Sequence, residues 1–246
     1  MNGECESERP AAWGCSVRGP LHVRLRIPNQ DAWLARKYVW GRVLAVADGL
    51  GSKPHSDAGS RAVCRAVARA ARECVAGGRE YMRSNITGLI HRHWLEGLCG
   101  YTPGECAATC LFAVLHGGVL TLGRLGDGMV VATGRNGHAD TLLMEDKAGA
   151  FSNMTHCLHG EECPRGWELL QLPAESCAHV LLSTDGVADD LAPGTHTAFA
   201  RGLLEAYGNM PRAAAYRDLR SALIHWPRPG HTDDKTIAIM GLHSTT

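Results

Sequence analysis

The chain carries no excess charge of either sign: 25 basic and 25 acidic residues cancel over 246 positions. That balance, with no long single-sign run, excludes the electrostatic footprint of a nucleic-acid-binding protein. Nowhere do about 18 uncharged apolar residues run together, which excludes a membrane-spanning helix. The first ten residues are polar and acidic, without the basic-then-apolar pattern of a secretory signal, so a soluble, cytoplasmic protein is expected. No Gly-x-x-x-x-Gly-Lys-Ser/Thr loop occurs, and Gly49-Leu50-Gly51-Ser52-Lys53-Pro54 lacks the third glycine of a dinucleotide fingerprint. A Gly-x-Ser-x-Gly elbow and a His-Glu-x-x-His pair are also missing, so serine-hydrolase and zinc-peptidase chemistry have no support. Internal repeats, linkers and low-complexity segments are absent.

What is present is an apolar content of 45%, enough for a real core in one large domain spanning 1–246 with a flexible N-terminus at 1–12. Ten cysteines are scattered through ordinary helix and strand patterns and read mostly as reduced, buried, small hydrophobes. Residues 13–37 read as short strands broken at Gly19-Pro20 and Pro28-Asn29. A strand ending at Ala47 precedes a helix capped by Ser56 or Asp57, with Ala58, Ala62, Val63, Ala66, Val67, Ala70 and Cys74 on one face, ending near Gly77-Gly78. A second helix is expected over 85–98. Strands at 107–115 and 119–125 flank Gly117-Gly118, a pair suited to a tight hairpin, and 128–133 extends the meander. Residues 134–178 are irregular, with a strand at 167–172. Helices over 195–207 and 211–226 and a strand over 235–242 follow. Grouped strands and grouped helices indicate an α+β fold with antiparallel sheets.

One event recurs along this pattern. Apolar runs end on aspartate at Asp48-Gly49, Asp127-Gly128 and Asp185-Gly186, and Asp233-Asp234 stands just before the last strand. Carboxylates at strand ends can converge on one cleft, and hard divalent cations take oxygen ligands so arranged. Asp-Gly is also a common hairpin signal. Asp48-Gly49 leads into a glycine loop and a helix, and Asp185-Gly186 into Val-Ala-Asp-Asp-Leu, so both are poor hairpins. Asp127-Gly128 fits a turn as well as a ligand site, and Asp233 or Asp234 fits a solvated turn equally well. His156, Cys157, His159 and Cys163 lack the second spaced dyad of a zinc motif and read as loop residues, while Cys106 and Cys110 read as core.

These segments, in this order, resemble the metal-dependent Ser/Thr protein phosphatases of type 2C, the PPM family, and particularly its compact bacterial branch. His22-Val23-Arg24-Leu25-Arg26-Ile27-Pro28-Asn29-Gln30-Asp31 is similar to the family's opening arginine-to-acid segment. Val46-Ala47-Asp48-Gly49, Cys106 to Leu115 with Gly126-Asp127-Gly128, Ser183-Thr184-Asp185-Gly186 and Thr232-Asp233-Asp234-Lys235-Thr236 match the later motifs. The resemblance covers nearly the whole length. It implies a four-layer α-β-β-α sandwich, two central antiparallel sheets flanked by helix pairs, with two Mn²⁺ or Mg²⁺ ions at one edge. By position Asp48 bridges both ions, Gly49 offers its carbonyl, Asp185 and Asp233 complete the first ion's shell, and Asp127 serves a third, weaker ion. Arg26 grips the phosphate. Two cations about 4 Å apart lower the pKa of a bridging water, which attacks phosphorus without a phosphoenzyme.

The chain departs from the family pattern at three places. Leu50 stands where many eukaryotic members carry a histidine acid; His55 nearby reads as an exposed histidine, leaving protonation of the leaving group to water. Gln30 replaces an acid, so Asp31 is the only charge there. Asp234 stands where asparagine is common, which leaves the ligand open between Asp233 and Asp234. The implied partner is a phosphorylated protein, the target of a Ser/Thr kinase. The alternative is a weakly active member that binds phosphoproteins as a regulatory module, with a small-molecule phosphoesterase third.

Overall fold

The computed structural model describes residues 12–144 and 156–242. The expected flexible N-terminus lies outside the described residues apart from Ala12, which opens the first strand. Part of the irregular stretch, residues 145–155, also lies outside them.

The strands are β1 (Ala12–Val17), β2 (Ala32–Tyr38), β3 (Gly41–Ala47), β4 (Cys110–His116), β5 (Val119–Leu125), β6 (Met129–Gly134), β7 (Thr141–Met144), β8 (Glu168–Pro173), β9 (Cys177–Ser183) and β10 (Lys235–Gly241). The helices are α1 (Pro20–Leu25), α2 (Ser56–Cys74), α3 (Gly78–Gly97), α4 (Asp185–Ala188), α5 (His196–Tyr207) and α6 (Arg212–Ile224). Two antiparallel sheets result, ordered β1-β10-β9-β6-β7 and β2-β3-β4-β5-β8. Three apolar layers separate four structural ones. Leu44, Val46, Leu111, Leu122, Val130 and Leu182 fill the space between the sheets. The small residues of α2 with Ile86, Ile90 and Trp94 of α3 cover Val43, Ala45 and Phe112. Ala200, Ala215, Leu219 and Leu223 cover Val131, Leu181 and Ile239 on the other side. This is the expected α-β-β-α sandwich. Among the described residues no helix is long and apolar enough to cross a membrane.

The departures from expectation have local causes. Residues 20–25 form a helix rather than strand: Pro20, at the first turn, has its φ already fixed near the helical value, and Arg26, in the left-handed region at φ 59°, ends it. Six residues are too few to show a helical period. The second helix starts at Gly78 instead of residue 85, because Arg79, Glu80 and Arg83 hide the one buried side chain of that stretch, Met82. The strand expected from residue 107 begins at Cys110; Ala108 instead makes single bridges to Gly49 and Leu158. Residues 128–133 do not extend the meander. β5 pairs with β4 and β8, while β6 lies in the opposite sheet between β9 and β7. Gly126 and Gly128, at φ 96° and 91°, let the chain cross between sheets. The Gly117-Gly118 hairpin holds, both glycines taking positive φ. Of the nine described cysteines seven are buried, and burial raises the thiol pKa of Cys15 and Cys157 to about 11; Cys99 and Cys163 are exposed.

Candidate metal centre

The aspartates collect where the strands of both sheets end. Asp48 leaves β3, Asp127 occupies the crossover from β5 to β6, and Asp185 opens α4 directly after β9. One carboxylate oxygen of each lies within 4.8 Å of the others, and all three residues are half-buried. Asp31, just before β2, is buried; Asp233, just before β10, is exposed. Both belong to the same electrostatic group, since each repels Asp48.

Backbone detail fixes the trio. The Asp48 N–H donates to Thr109 Oγ1 at 2.9 Å, and the Thr109 N–H returns to the Asp48 carbonyl at 2.8 Å. Gly49 donates to the Gln30 carbonyl at 3.1 Å. A Cβ on Gly49 would stand 2.5 Å from the Ser56 carbonyl oxygen, so only glycine lets α2 start this close. Across the cleft, Thr184 Oγ1 donates to Asp31 Oδ2 at 2.9 Å. The Thr236 N–H donates to Thr184 Oγ1 at 3.1 Å. Lys235 is buried, donating Nζ to the Gly186 carbonyl and to Asp190 Oδ2, the latter at 2.9 Å, with the Trp226 ring 5.3 Å away. Arg124, also buried, grips both oxygens of Glu168 and the Gly126 carbonyl beside Asp127.

Crowded acids oppose their own ionisation. Withdrawal from water pushes Asp31 up to about 7, partly offset by hydrogen bonds from Thr236, Asp48 and Thr184. Asp185 rises to about 8, first from burial and then from Asp127 and Asp233. Asp48 rises well above the usual carboxylate range for the same reasons, with Asp31, Asp185 and Asp233 as the repelling neighbours. Asp233 is raised as well, chiefly by desolvation. Carboxylates that raise one another in this way are an oxygen donor set short of positive charge, which suits hard divalent cations.

The other expected residues fall as follows. Asp127 sits inside the trio rather than apart from it. Arg26 is exposed at the end of α1, and its guanidinium has no hydrogen bond or ion pair among the described residues. Asp234 is turned away into the protein, where its two oxygens accept the N–H groups of Gly19 and Gln30. His55 is half-buried rather than exposed, its ring 4.3 Å from that of Tyr101. His156, Cys157, His159 and Cys163 form no metal-holding group among the described residues. The sequence assigns no role to Thr184, Lys235 or Arg124; the place of Thr184 in Ser183-Thr184-Asp185 is the one signal it offers.

The sequence matches the family model described as protein phosphatase 2C over residues 18–224. The chain belongs to the protein phosphatase 2C family. The matched stretch holds Asp48, Asp127 and Asp185, and Asp233 lies just beyond it. No curated protein matches the chain in sequence. Among solved structures it is similar to a bacterial serine phosphatase, at 14% identity and a TM-score of 0.63 over 96% of this chain and 98% of that one. It is also similar to the serine/threonine phosphatase Stp1 from Staphylococcus aureus (15%, TM-score 0.64, 95% of each chain). PppA, a regulatory component of T6SS in Pseudomonas aeruginosa, aligns at 18% and a TM-score of 0.59 over 93% of this chain and 95% of that one. At such identities the likeness speaks for the protein phosphatase 2C fold.

Proposed function

We propose that the described residues act as one phosphatase domain, a Mn²⁺- or Mg²⁺-dependent protein phosphatase that hydrolyses phosphoserine and phosphothreonine. The observation that carries the reading is the trio of Asp48, Asp127 and Asp185 with oxygens within 4.8 Å, in a chain of this family. Asp48, Asp185 and Asp233, the Gly49 carbonyl and Asp127 would hold the ions. Bound there, two divalent cations supply a water of lowered pKa and neutralise charge on the phosphoryl oxygens.

The protein's own part is positioning. Thr109 fixes the backbone of Asp48 from both directions. Thr184 holds Asp31, so the carboxylate against Asp48 keeps one orientation. Arg26, unpaired among the described residues, is available to take phosphoryl oxygens through paired charge-assisted hydrogen bonds. Leu50 follows Gly49 and the His55 ring is packed against that of Tyr101, which supports water as the proton source for the departing hydroxyl. The partners on this reading are cytoplasmic phosphoproteins that Ser/Thr kinases modify. A purely regulatory binding module would not need the whole carboxylate set.

Phosphate release from p-nitrophenyl phosphate and from a phosphothreonine peptide, measured with Mn²⁺ and with EDTA, tests the assignment. Turnover that needs Mn²⁺ is expected; no release with Mn²⁺ present, or equal release with EDTA, sinks it.

A further inference from the structure

Between β1 and β2 the chain makes an excursion, residues 19–30, that carries Arg26 at its far end. Apolar burial holds this loop only weakly: α1 has no fully buried residue, and Leu21 and Ile27 are half-buried. Polar contacts anchor it, among them Asn29 Nδ2 donating to Ser16 Oγ at 2.8 Å, and one buried carboxylate takes both ends. Asp234, 2% exposed, accepts the Gly19 N–H on Oδ1 at 2.7 Å and the Gln30 N–H on Oδ2 at 2.6 Å. One side chain therefore closes both ends of the loop. His22 Nδ1 stands 2.9 Å from Oδ1, within ion-pair range but off the line a hydrogen bond needs. The Leu21 N–H reaches the Thr232 carbonyl at 3.2 Å. A Cβ on Gly19 would lie 2.3 Å from the carbonyl carbon of Asp233, so the loop's start rests on the backbone of that residue. Just before the loop, Arg18 donates to the Ile27 carbonyl at 3.2 Å.

We infer that Asp234 is a positioning residue rather than a metal ligand, and that it couples the Arg26 loop to the strand end bearing Asp233. The inference rests on the proposed phosphatase reading. Two backbone N–H groups, one on each oxygen, need two acceptors on one side chain; asparagine offers a single acceptor and would turn its NH₂ against the second N–H. That is a reason for aspartate at a position where asparagine is common in the family. With both oxygens engaged inward, Asp234 transmits the placement of Asp233 to the loop that presents Arg26. On this inference cations at the Asp233 end tighten phosphate binding at Arg26, and linkage makes the reverse effect equal in size.

The experiment uses the full chain as wild type, Asp234→Asn, Arg26→Ala and the double variant. Three quantities are read: KM and kcat with p-nitrophenyl phosphate, inhibition by inorganic phosphate, and Mn²⁺ stoichiometry from the resonance of the free ion. Hydrogen exchange of peptides covering 19–30, with and without Mn²⁺, supplies a readout that needs no catalysis. Asp234→Asn is expected to raise KM and the phosphate inhibition constant about tenfold, the effect of losing a charge-assisted hydrogen bond, while kcat changes less and Mn²⁺ stoichiometry stays at the wild-type value. Arg26→Ala should then add little. Mn²⁺ should slow exchange in 19–30 of the wild type and not of Asp234→Asn. A lower Mn²⁺ stoichiometry in Asp234→Asn, additive effects with Arg26→Ala, or Mn²⁺-slowed exchange that survives the substitution overturns the inference. Should Asp234→Asn not fold, His22→Gln is expected to show the same pattern at smaller size, and additivity with Arg26→Ala overturns it there. A wild type without Mn²⁺-dependent turnover refutes the catalytic reading, while the exchange experiment still decides the coupling.

Discussion

On one side of the carboxylate cluster, neutral groups hold the backbone around Asp48 where it leaves β3: Thr109 on its N–H and carbonyl, Gly49 against Ser56, Ala108 bridging to Gly49 and Leu158. On the other side, Asp185 follows β9 and Asp233 leads into β10 among charges. Lys235 spans Gly186 and Asp190, Asp190 also meets Arg228 at 3.1 Å, and Asp234 gathers the Arg26 loop. Neutral hydrogen bonds in a close-packed frame change little with salt or pH. A buried ion pair adds little when intact and costs much when one partner goes. The half-site with neutral supports should therefore tolerate changes of solution conditions, and the half-site with charged supports should tolerate loss of a partner least.

The difference can be broken by substitution. Asp48→Asn should have the largest effect, because it removes the acid common to the expected ions: a fall of about a thousandfold in Mn²⁺-dependent turnover, or about 4 kcal/mol, with weaker Mn²⁺ binding by calorimetry. Activity retained within tenfold would take Asp48 out of the centre. Next, Lys235→Met should cost about 2 kcal/mol in urea unfolding, since it leaves the buried Gly186 carbonyl without its donor and Asp190 with Arg228 alone. A loss below about 0.5 kcal/mol would show that the charged side is held by something else. Thr109→Val, nearly isosteric, leaves the Asp48 N–H unpaired and should cost about 1.5 kcal/mol, by the same amount at pH 5.5 and pH 8; a pH-dependent loss would erase the contrast.

The smallest effect per step is in the pH profile without metal. Asp31 and Asp185 titrate near 7 and 8 in the folded chain and near 4 when unfolded. The folded state then holds the extra protons in between, so the contribution of these two acids to stability is greatest below about pH 4 and declines toward about pH 8, by up to about 1.4 kcal/mol per pH unit for each proton. With EDTA the melting temperature should fall over that window, less so in Asp185→Asn, and excess Mn²⁺ should remove the fall. A melting temperature that rises with pH in EDTA, with no difference between wild type and Asp185→Asn, would contradict the crowding of these acids.

What the sequence discloses follows the same division. Asp48 and Asp185 are legible because an apolar run ends on Asp-Gly and no strand follows, a local pattern with a local meaning. Asp127 is ambiguous for the opposite reason. Its flanking runs look like neighbours in a hairpin, and only the crossover at Gly126 and Gly128, which sends β6 into the other sheet, shows that no hairpin exists. Lys235 illustrates a third kind of residue: a lysine opening a strand looks solvated, and only the burial of its amine against Asp190 and Trp226 reveals it as a clamp. Asp234 is similar, since its partners at Gly19 and Gln30 are more than 200 positions away. The helix layers were readable from the small-residue stripe of α2, whereas α1 was too short to carry a period.

Asp48 ends a strand of one sheet, Asp185 and Asp233 flank strands of the other, and Asp127 sits on the crossover between the two. The gap between the two donor groups is therefore a dimension of the layer that separates the sheets, filled by Leu44, Val46, Leu111, Val130 and Leu182. Those side chains never meet a cation, yet they act as the shim in a caliper. Shaving a methylene from that layer would narrow the jaws, so the reach between carboxylates, and with it the size of ion the cleft can accept, is written in hydrocarbon volume rather than in the acids themselves.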